Sequence, residues 1–242
     1  MADRGVAVVT GGSAGIGAAL VERFLDDGFE VVSLARRAAP DRARLKNMSV
    51  DLLDPLATRA AAQTIAASYA VSHLVHNAGI IRANSLEHTS TEDLAALSQL
   101  HLGAALTLTQ AIVPAMKAKG FGRIILMSSR AANGLQTRTV YSATKSGMVG
   151  MARTWAMELG GHGVTVNVVA PGPIGGTEMF HDVMPEGDPR IAALASNIPV
   201  KRIGTPEDVV NAVMFFAAPS AGFVTGQLLY VCGGASLGAL TL

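Results

Sequence analysis

Charge is scarce in this chain. Of its 242 residues, 19 are basic and 18 acidic, 15 % together, where an average soluble domain carries roughly 25 %. The net charge is +1 and the signs are interspersed, so neither nucleic acid nor a membrane surface is an expected partner. Cysteine is scarcer still. Cys232 stands alone, which excludes an intrachain disulfide and a cysteine-built zinc centre, and no metal is expected. No uninterrupted apolar run approaches the roughly 18 residues of a membrane helix. Asp3 and Arg4, with a short apolar stretch running into Gly11-Gly12, do not read as a secretory signal, so a cytoplasmic address is expected. Repeats, low-complexity tracts and Pro/Ser-rich linkers are missing too.

Hydrophobic residues make up 50 % of the chain and there are 26 glycines. That composition excludes disorder, and the length suits one α/β domain over residues 1–242. Short apolar runs alternate with helix-length segments: Val6–Val9, Val31–Leu34, Met48–Val50, His73–Val75, Ile124–Met127, Val164–Val169 and Leu228–Val231. Near-continuous apolar strands joined by helical crossovers predict a mostly parallel sheet of seven strands, doubly wound in Rossmann fashion with helices on both faces. Ile16, Leu20 and Phe24 mark one face of the first helix, and Ser90-x-x-Asp93 predicts an N-cap. The stretch from Ile174 through Pro199, rich in Gly, Pro and Met, is expected to be a long irregular lid.

The first strand hands over to the first helix through Thr10-Gly11-Gly12-Ser13-Ala14-Gly15-Ile16-Gly17. Glycines here let backbone approach a bulky anion, and the helix N-terminus offers free N–H groups and partial positive charge to a pyrophosphate. A dinucleotide site is expected, with Gly11, Ser13, Gly15, Ile16 and Gly17 lining it. The second strand ends Leu34-Ala35-Arg36-Arg37. A carboxylate there would hold the ribose hydroxyls and repel a 2′-phosphate; two guanidiniums instead favour NADP(H), with NAD(H) possible. Tyr141 and Lys145 are four apart, one face of one helix. A phenol beside an ammonium loses its proton more readily, which would fit it for acid/base work.

The G-x-x-x-G-x-G spacing resembles the short-chain dehydrogenase/reductase family. Its other motifs follow in order: Asp51 after the third strand, Asn77-Ala78-Gly79 after the fourth, Ser128-Ser129 after the fifth, Tyr141-x-x-x-Lys145, and Pro171-Gly172 after the sixth. The resemblance covers essentially the whole chain. It implies a classical-type enzyme interconverting a ketone and a secondary alcohol, most like reductases of 3-oxoacyl chains on carrier protein or coenzyme A. An NAD-dependent sugar or polyol dehydrogenase is the alternative, and a non-catalytic NADP(H)-binding regulator a remoter one. It further implies that Tyr141 is the acid/base and that Lys145 also holds the nicotinamide ribose. Ser129 would polarise the carbonyl, with Ser128 as the alternative. Asp51, Leu52, Asn77, Ala78, Gly79, Pro171, Gly172, Ile174 and Thr177 would complete the cofactor site.

Two departures stand out against that family pattern. The interval from Ser129 to Tyr141 is twelve, one short of the commonest spacing, which places a small deletion in the loop. His101 stands where members usually have an asparagine that completes a proton relay to the lysine. It falls on the stripe Leu94, Leu97, His101, Ala104, Leu108, so it is expected to face inward. There it is either a satisfied core histidine or a titratable substitute adding pH dependence. Met179, Phe180 and Met184 are expected to give the lid an apolar inner face, with Met184 more a packing residue, while His181 and Asp182 line the pocket or face solvent. Arg130, directly after the serine, either attracts an acidic substrate or, being next to a loop, serves a structural role, the second reading being preferred. Family-like tetramers pair the Tyr141 helix with its equivalent and pack Leu228–Leu242 against a neighbour. The near absence of charge in that segment therefore predicts a homotetramer.

Overall fold

The computed structural model describes residues 4–237. The apolar runs form strands β1 (Val6–Thr10), β2 (Glu30–Ala35), β3 (Leu45–Ser49), β4 (Val71–His76), β5 (Gly122–Met127), β6 (Val164–Pro171) and β7 (Leu228–Val231). The intervening segments form α1 (Gly15–Asp26), α2 (Pro55–Ser68), α3 (Thr91–Ser98), α4 (Ala104–Lys119), α5 (Thr139–Leu159), α6 (Glu178–His181), α7 (Arg190–Asn197) and α8 (Pro206–Ala217). All seven strands pair in parallel, in the order β3-β2-β1-β4-β5-β6-β7. The sheet is thus wholly parallel, not mostly so.

Alternation along each strand builds a core on both faces. Ile124 joins Leu34, Leu74 and Val166 against Ile65 of α2, Leu108 of α4 and Met148 of α5. Its neighbour Ile125 points the other way, joining Ala7 and Val31 against Leu20 and Phe24 of α1 and Val209 and Phe216 of α8. Each such side chain, once fully buried, contributes about 1.5–3 kcal/mol. Helix starts follow their sequence signals. Ser90 Oγ accepts the Asp93 N–H at 3.0 Å, Asp54 caps α2, and Thr205 with Asp208 closes a capping box on α8.

Strand order reverses on either side of β1 and β4, so the loops at their carboxyl ends splay apart into a crevice. The strand forecast slips at β3, which begins at Leu45 rather than Met48. It is an edge strand whose Lys46 and Ser49 face solvent, so its outer half carries no apolar signal. A second difference lies between α3 and α4, which are joined by a π-helical turn at Gln99–Gly103. The extra residue of that turn rotates the phase of the helix, leaving Leu94 46 % exposed while Leu97, His101, Ala104 and Leu108 are buried. The continuous helical span Thr91–Lys119 is long and apolar enough to cross a membrane by length and composition. Here its Leu97, Leu100, Leu108, Ile112 and Met116 are core residues of the domain.

Candidate active site

The crevice holds two adjoining cavities. The first runs from the glycine loop past the end of β2, lined by Gly11, Ser13, Gly15 and Ile16, then Arg36 and Arg37, Asp51 and Leu52, and Asn77, Ala78 and Gly79. Its residues fit a dinucleotide. Helix α1 starts at Ala14 with no side-chain cap and no acidic residue in its first turn, so its N–H groups remain for an anion. A Cβ on Gly17 would collide with the Gly11 carbonyl, and Gly11 itself has φ +68°, so only glycines make this turn. Thr10 ties the two sides of the crevice together. Its Oγ1 accepts the N–H groups of Asn77 and Ala78 at 3.0 and 2.9 Å, while Asn77 Nδ2 donates to the Thr10 carbonyl at 3.1 Å. Arg37 donates to both oxygens of Glu178 at 2.7 Å, a partner from the lid that sequence reasoning missed.

The second cavity opens against the first and is lined by Ser129, Tyr141 and Lys145, by Pro171, Gly172, Ile174 and Thr177, and by lid residues Met179, Phe180, Val183 and Met184. Ser128 and Ser129 part company. Ser128 is buried and donates its hydroxyl to the Lys145 carbonyl at 2.7 Å, whereas Ser129 accepts the Ala131 N–H at 3.2 Å and lines the cavity with Tyr141. Burial of Tyr141 pushes its phenol above the ordinary range, with the hydrogen bond to Ser129 and the charge of Arg138 pulling the other way. That corrects the expectation of a phenol acidified by Lys145. The ammonium lies 5.7 Å from the Tyr141 ring centre, donates to the Met127 carbonyl at 2.7 Å, and is itself pushed down to about 7 by burial.

His101 sits on the π-turn with its ring edge-on to Tyr141, centres 5.6 Å apart. Its Nδ1 lies 2.8 Å from Thr144 Oγ1. The Thr144 hydroxyl donates to the carbonyls of Val140 and Tyr141 at 3.1 Å. With that hydrogen directed to the helix backbone, Nδ1–H is assigned as the donor to Thr144 and Nε2 as the acceptor. That Nε2 is buried without a partner among the described residues. It faces Gly79: a Cβ there would lie 3.1 Å from His101 Nε2 and 3.3 Å from Lys145 Nζ. Burial first, then the charge of Lys145, hold the imidazole far below its ordinary pKa. The neutral ring is thereby favoured, against the reading in which its titration shapes the pH response. It is not a satisfied core histidine either.

The stretch from 174 to 199 covers the crevice as expected, but it is not irregular throughout: α6 and α7 form within it. Thr177 caps α6, accepting the Phe180 N–H at 3.2 Å, and donates to the Ile174 carbonyl at 3.1 Å. Met184 lines the second cavity alongside Met179 and Phe180, and Arg130 also lines it rather than serving only the loop. His181 and Asp182 line neither cavity; His181 Nδ1 lies 3.3 Å from the Met184 carbonyl. Arg138 and Leu135, both unforeseen, complete the wall on the side of the shortened loop. The signal available for them was the shortened interval itself.

Comparison with known proteins agrees with this geometry. A family model described as enoyl-(acyl carrier protein) reductase matches residues 11–236. A (2S)-((R)-hydroxy(phenyl)methyl)succinyl-CoA dehydrogenase subunit of Thauera aromatica is 39 % identical, with 96 % of each chain covered. The 3-oxoacyl-(acyl-carrier-protein) reductase of Escherichia coli is 34 % identical over 95 % of this chain and 96 % of its own. Among solved structures, a Beutenbergia cavernae protein described as an NAD(P)-dependent gluconate 5-dehydrogenase, with bound NADP, superposes with a TM-score of 0.89. It is 31 % identical and covers 98 % of both chains. The chain is therefore a member of the short-chain dehydrogenase/reductase family, an oxidoreductase that works with a nicotinamide dinucleotide.

Proposed function

We propose that the protein uses NADP(H) to interconvert a ketone and a secondary alcohol, with an acyl thioester as the substrate body. The observation that carries this reading is the position of Tyr141, buried in the wall of an apolar cavity that adjoins the dinucleotide groove, with Ser129 lining the same cavity. A nicotinamide in the adjoining groove would supply the two-electron chemistry. In the reducing direction Tyr141 gives its proton to the nascent alkoxide; a raised pKa keeps that proton in place at neutral pH. Ser129 donates a hydrogen bond to the carbonyl oxygen as charge grows there. Lys145, poised at about 7, holds the ribose side of the groove. The bare Nε2 of His101 and the Lys145 Nζ face the same point beside Gly79, where a bridging water would complete a path by which Tyr141 recovers its proton.

NADP(H) is favoured by Arg36 and Arg37, which line the first cavity at the end of β2 with no carboxylate at Ala35, and by the NADP bound in the Beutenbergia protein. The thioester is favoured by the apolar lid and by two relatives whose names give acyl-CoA and acyl-carrier substrates. Met179, Phe180, Val183 and Met184 favour an apolar substrate body over a polyol. The test is a panel of 3-oxoacyl thioesters, small ketones and polyols followed by NADPH and NADH absorbance, with Tyr141→Phe as control. Absence of Tyr141-dependent turnover throughout would return the chain to a binding role; a clear NADH preference would overturn the cofactor assignment. We further propose a homotetramer, supported by the exposed apolar side chains of Leu106 on α4, Met157 on α5 and Phe223 before β7. Residues 238–242 of the expected contact lie outside the described residues.

A further inference from the structure

The shortened loop between Ser129 and Tyr141 brings two more positive charges to the substrate cavity. Arg130 and Arg138 both line it, and no aspartate or glutamate does. Neither forms an ion pair among the described residues, whereas Arg37, Arg82 and Arg202 each find a carboxylate. Among the described residues the Arg130 side chain makes no hydrogen bond, and Arg138 uses only Nη1, on the carbonyl and hydroxyl of Thr137 at 3.2 and 2.7 Å. The rest of the Arg138 fork is unspent.

That orientation is built. Thr137 has φ +61°, a left-handed conformation that a β-branched residue rarely adopts. It is held there because the Asn84 N–H donates to the Thr137 carbonyl at 3.1 Å and the Arg138 N–H donates to the Leu135 carbonyl at 3.1 Å. The turn thereby delivers Arg138 to the N-cap of α5, three residues before Tyr141, and both side chains line the cavity. The guanidinium is close enough for its charge to act on the phenol. Across the cavity stand Phe180, Val183 and Met184. A planar donor fork without a carboxylate, beside an apolar wall and a reacting hydroxyl, is a place for a bidentate anion.

We propose that Arg138, assisted by Arg130, binds a free carboxylate carried on the reacting body of the substrate, a few bonds from the carbonyl. The substrate class is then an acidic keto or hydroxy compound with an apolar group, and the carboxylate sets which end of it faces Tyr141. A phosphate on a distant carrier is the competing anion. It is disfavoured because Arg138 lines the same cavity as Ser129 and Tyr141. This inference rests on the oxidoreductase reading for its chemistry, but the anchor itself can be measured without turnover.

Phenylsuccinate and its dimethyl ester are titrated into the protein–NADPH complex by calorimetry, for the wild type, Arg138→Gln and Arg130→Gln. Benzoylpropionate and its methyl ester are then compared as substrates. The expected result is a diacid that binds at least about tenfold tighter than its ester, as one charge-assisted bidentate contact implies. Arg138→Gln should collapse that ratio and Arg130→Gln should reduce it. The acid-to-ester ratio of kcat/KM should fall in parallel. Equal binding of acid and ester by the wild type, or an unchanged ratio in Arg138→Gln, overturns the anchor. If only coenzyme A, and no free carboxylate, binds in an Arg138-dependent way, the anion is the carrier phosphate and the proposal is wrong. Arg138-dependent binding without turnover of any ketone leaves the anchor standing and overturns the oxidoreductase reading instead.

Discussion

Arg37, at the end of β2, donates from one guanidinium nitrogen to both carboxylate oxygens of Glu178, the first residue of α6, at 2.7 Å across 141 positions of sequence. The pair links the adenosine end of the nucleotide groove to the lid. Both side chains are well exposed, so the contact is weak and easily exchanged. A 2′-phosphate needs the same fork. Glu178→Gln should therefore lower the KM for NADPH by about two- to fivefold, the size of an exposed ion pair, and leave that for NADH unchanged. Arg37→Ala should raise the KM for NADPH by about tenfold or more through loss of a charge-assisted phosphate contact. Initial rates at varied cofactor check both, and equal effects on the two cofactors would separate Arg37 from the 2′-phosphate.

Tyr141→Phe removes one hydroxyl from a side chain that is 6 % exposed and changes little of its packing. Turnover should drop by about 100- to 10,000-fold, the range for loss of a general acid, with cofactor affinity retained. Absorbance kinetics and a thermal melt separate chemistry from folding.

Lys145 sets a pH dependence of stability. Its folded pKa is about 7 against an ordinary 10.5, so between those values the unfolded chain holds the extra proton. Stability then rises with pH across that window and levels above it. His73 and His76 act further down, pushed to about 4 and about 3 by burial. From an ordinary 6.5 they too are protonated first in the unfolded chain, so stability is lost as pH falls from about 6.5. Melting temperature against pH, with and without Lys145→Met, should show the upper rise in the wild type alone.

His101→Asn keeps a buried neutral hydrogen-bonding group at the π-turn, whereas His101→Leu keeps only bulk. The first should retain turnover with an unaltered pH profile. The second should lose about tenfold or more, since a relay lacking one acceptor is incomplete. A pH profile displaced by His101→Asn would show that the imidazole does titrate.

Four copies should assemble in solution. Static light scattering is expected to give the tetramer mass, and Phe223→Glu, at a side chain exposed to its full extent, should shift it downward if the segment before β7 is part of the contact. A monomeric mass for the wild type would refute the assembly.

The sequence by itself determined the sheet and the motif order. Val6–Val9, Val31–Leu34 and Val164–Val169 are apolar because both faces of each strand are covered, and that burial is written residue by residue. Gly11 and Gly17 announced the nucleotide turn because no side chain fits there. Tyr141 and Lys145 were legible because helical spacing alone puts them together.

Tertiary structure decided what depends on environment and on residues distant in sequence. The phase of the stripe through Leu94 and His101 was broken by a π-turn that periodicity cannot show. Both serines line the substrate cavity, but the Lys145 carbonyl claims the Ser128 hydroxyl. The phenol of Tyr141 is raised and not lowered because desolvation outweighs nearby positive charge, and desolvation exists only once the chain is folded. Arg37 met Glu178, and Arg130 and Arg138 met no carboxylate, through loop paths that no local pattern encodes. A side chain's type is fixed by sequence, but its charge state and its partners are properties of the packed neighbourhood.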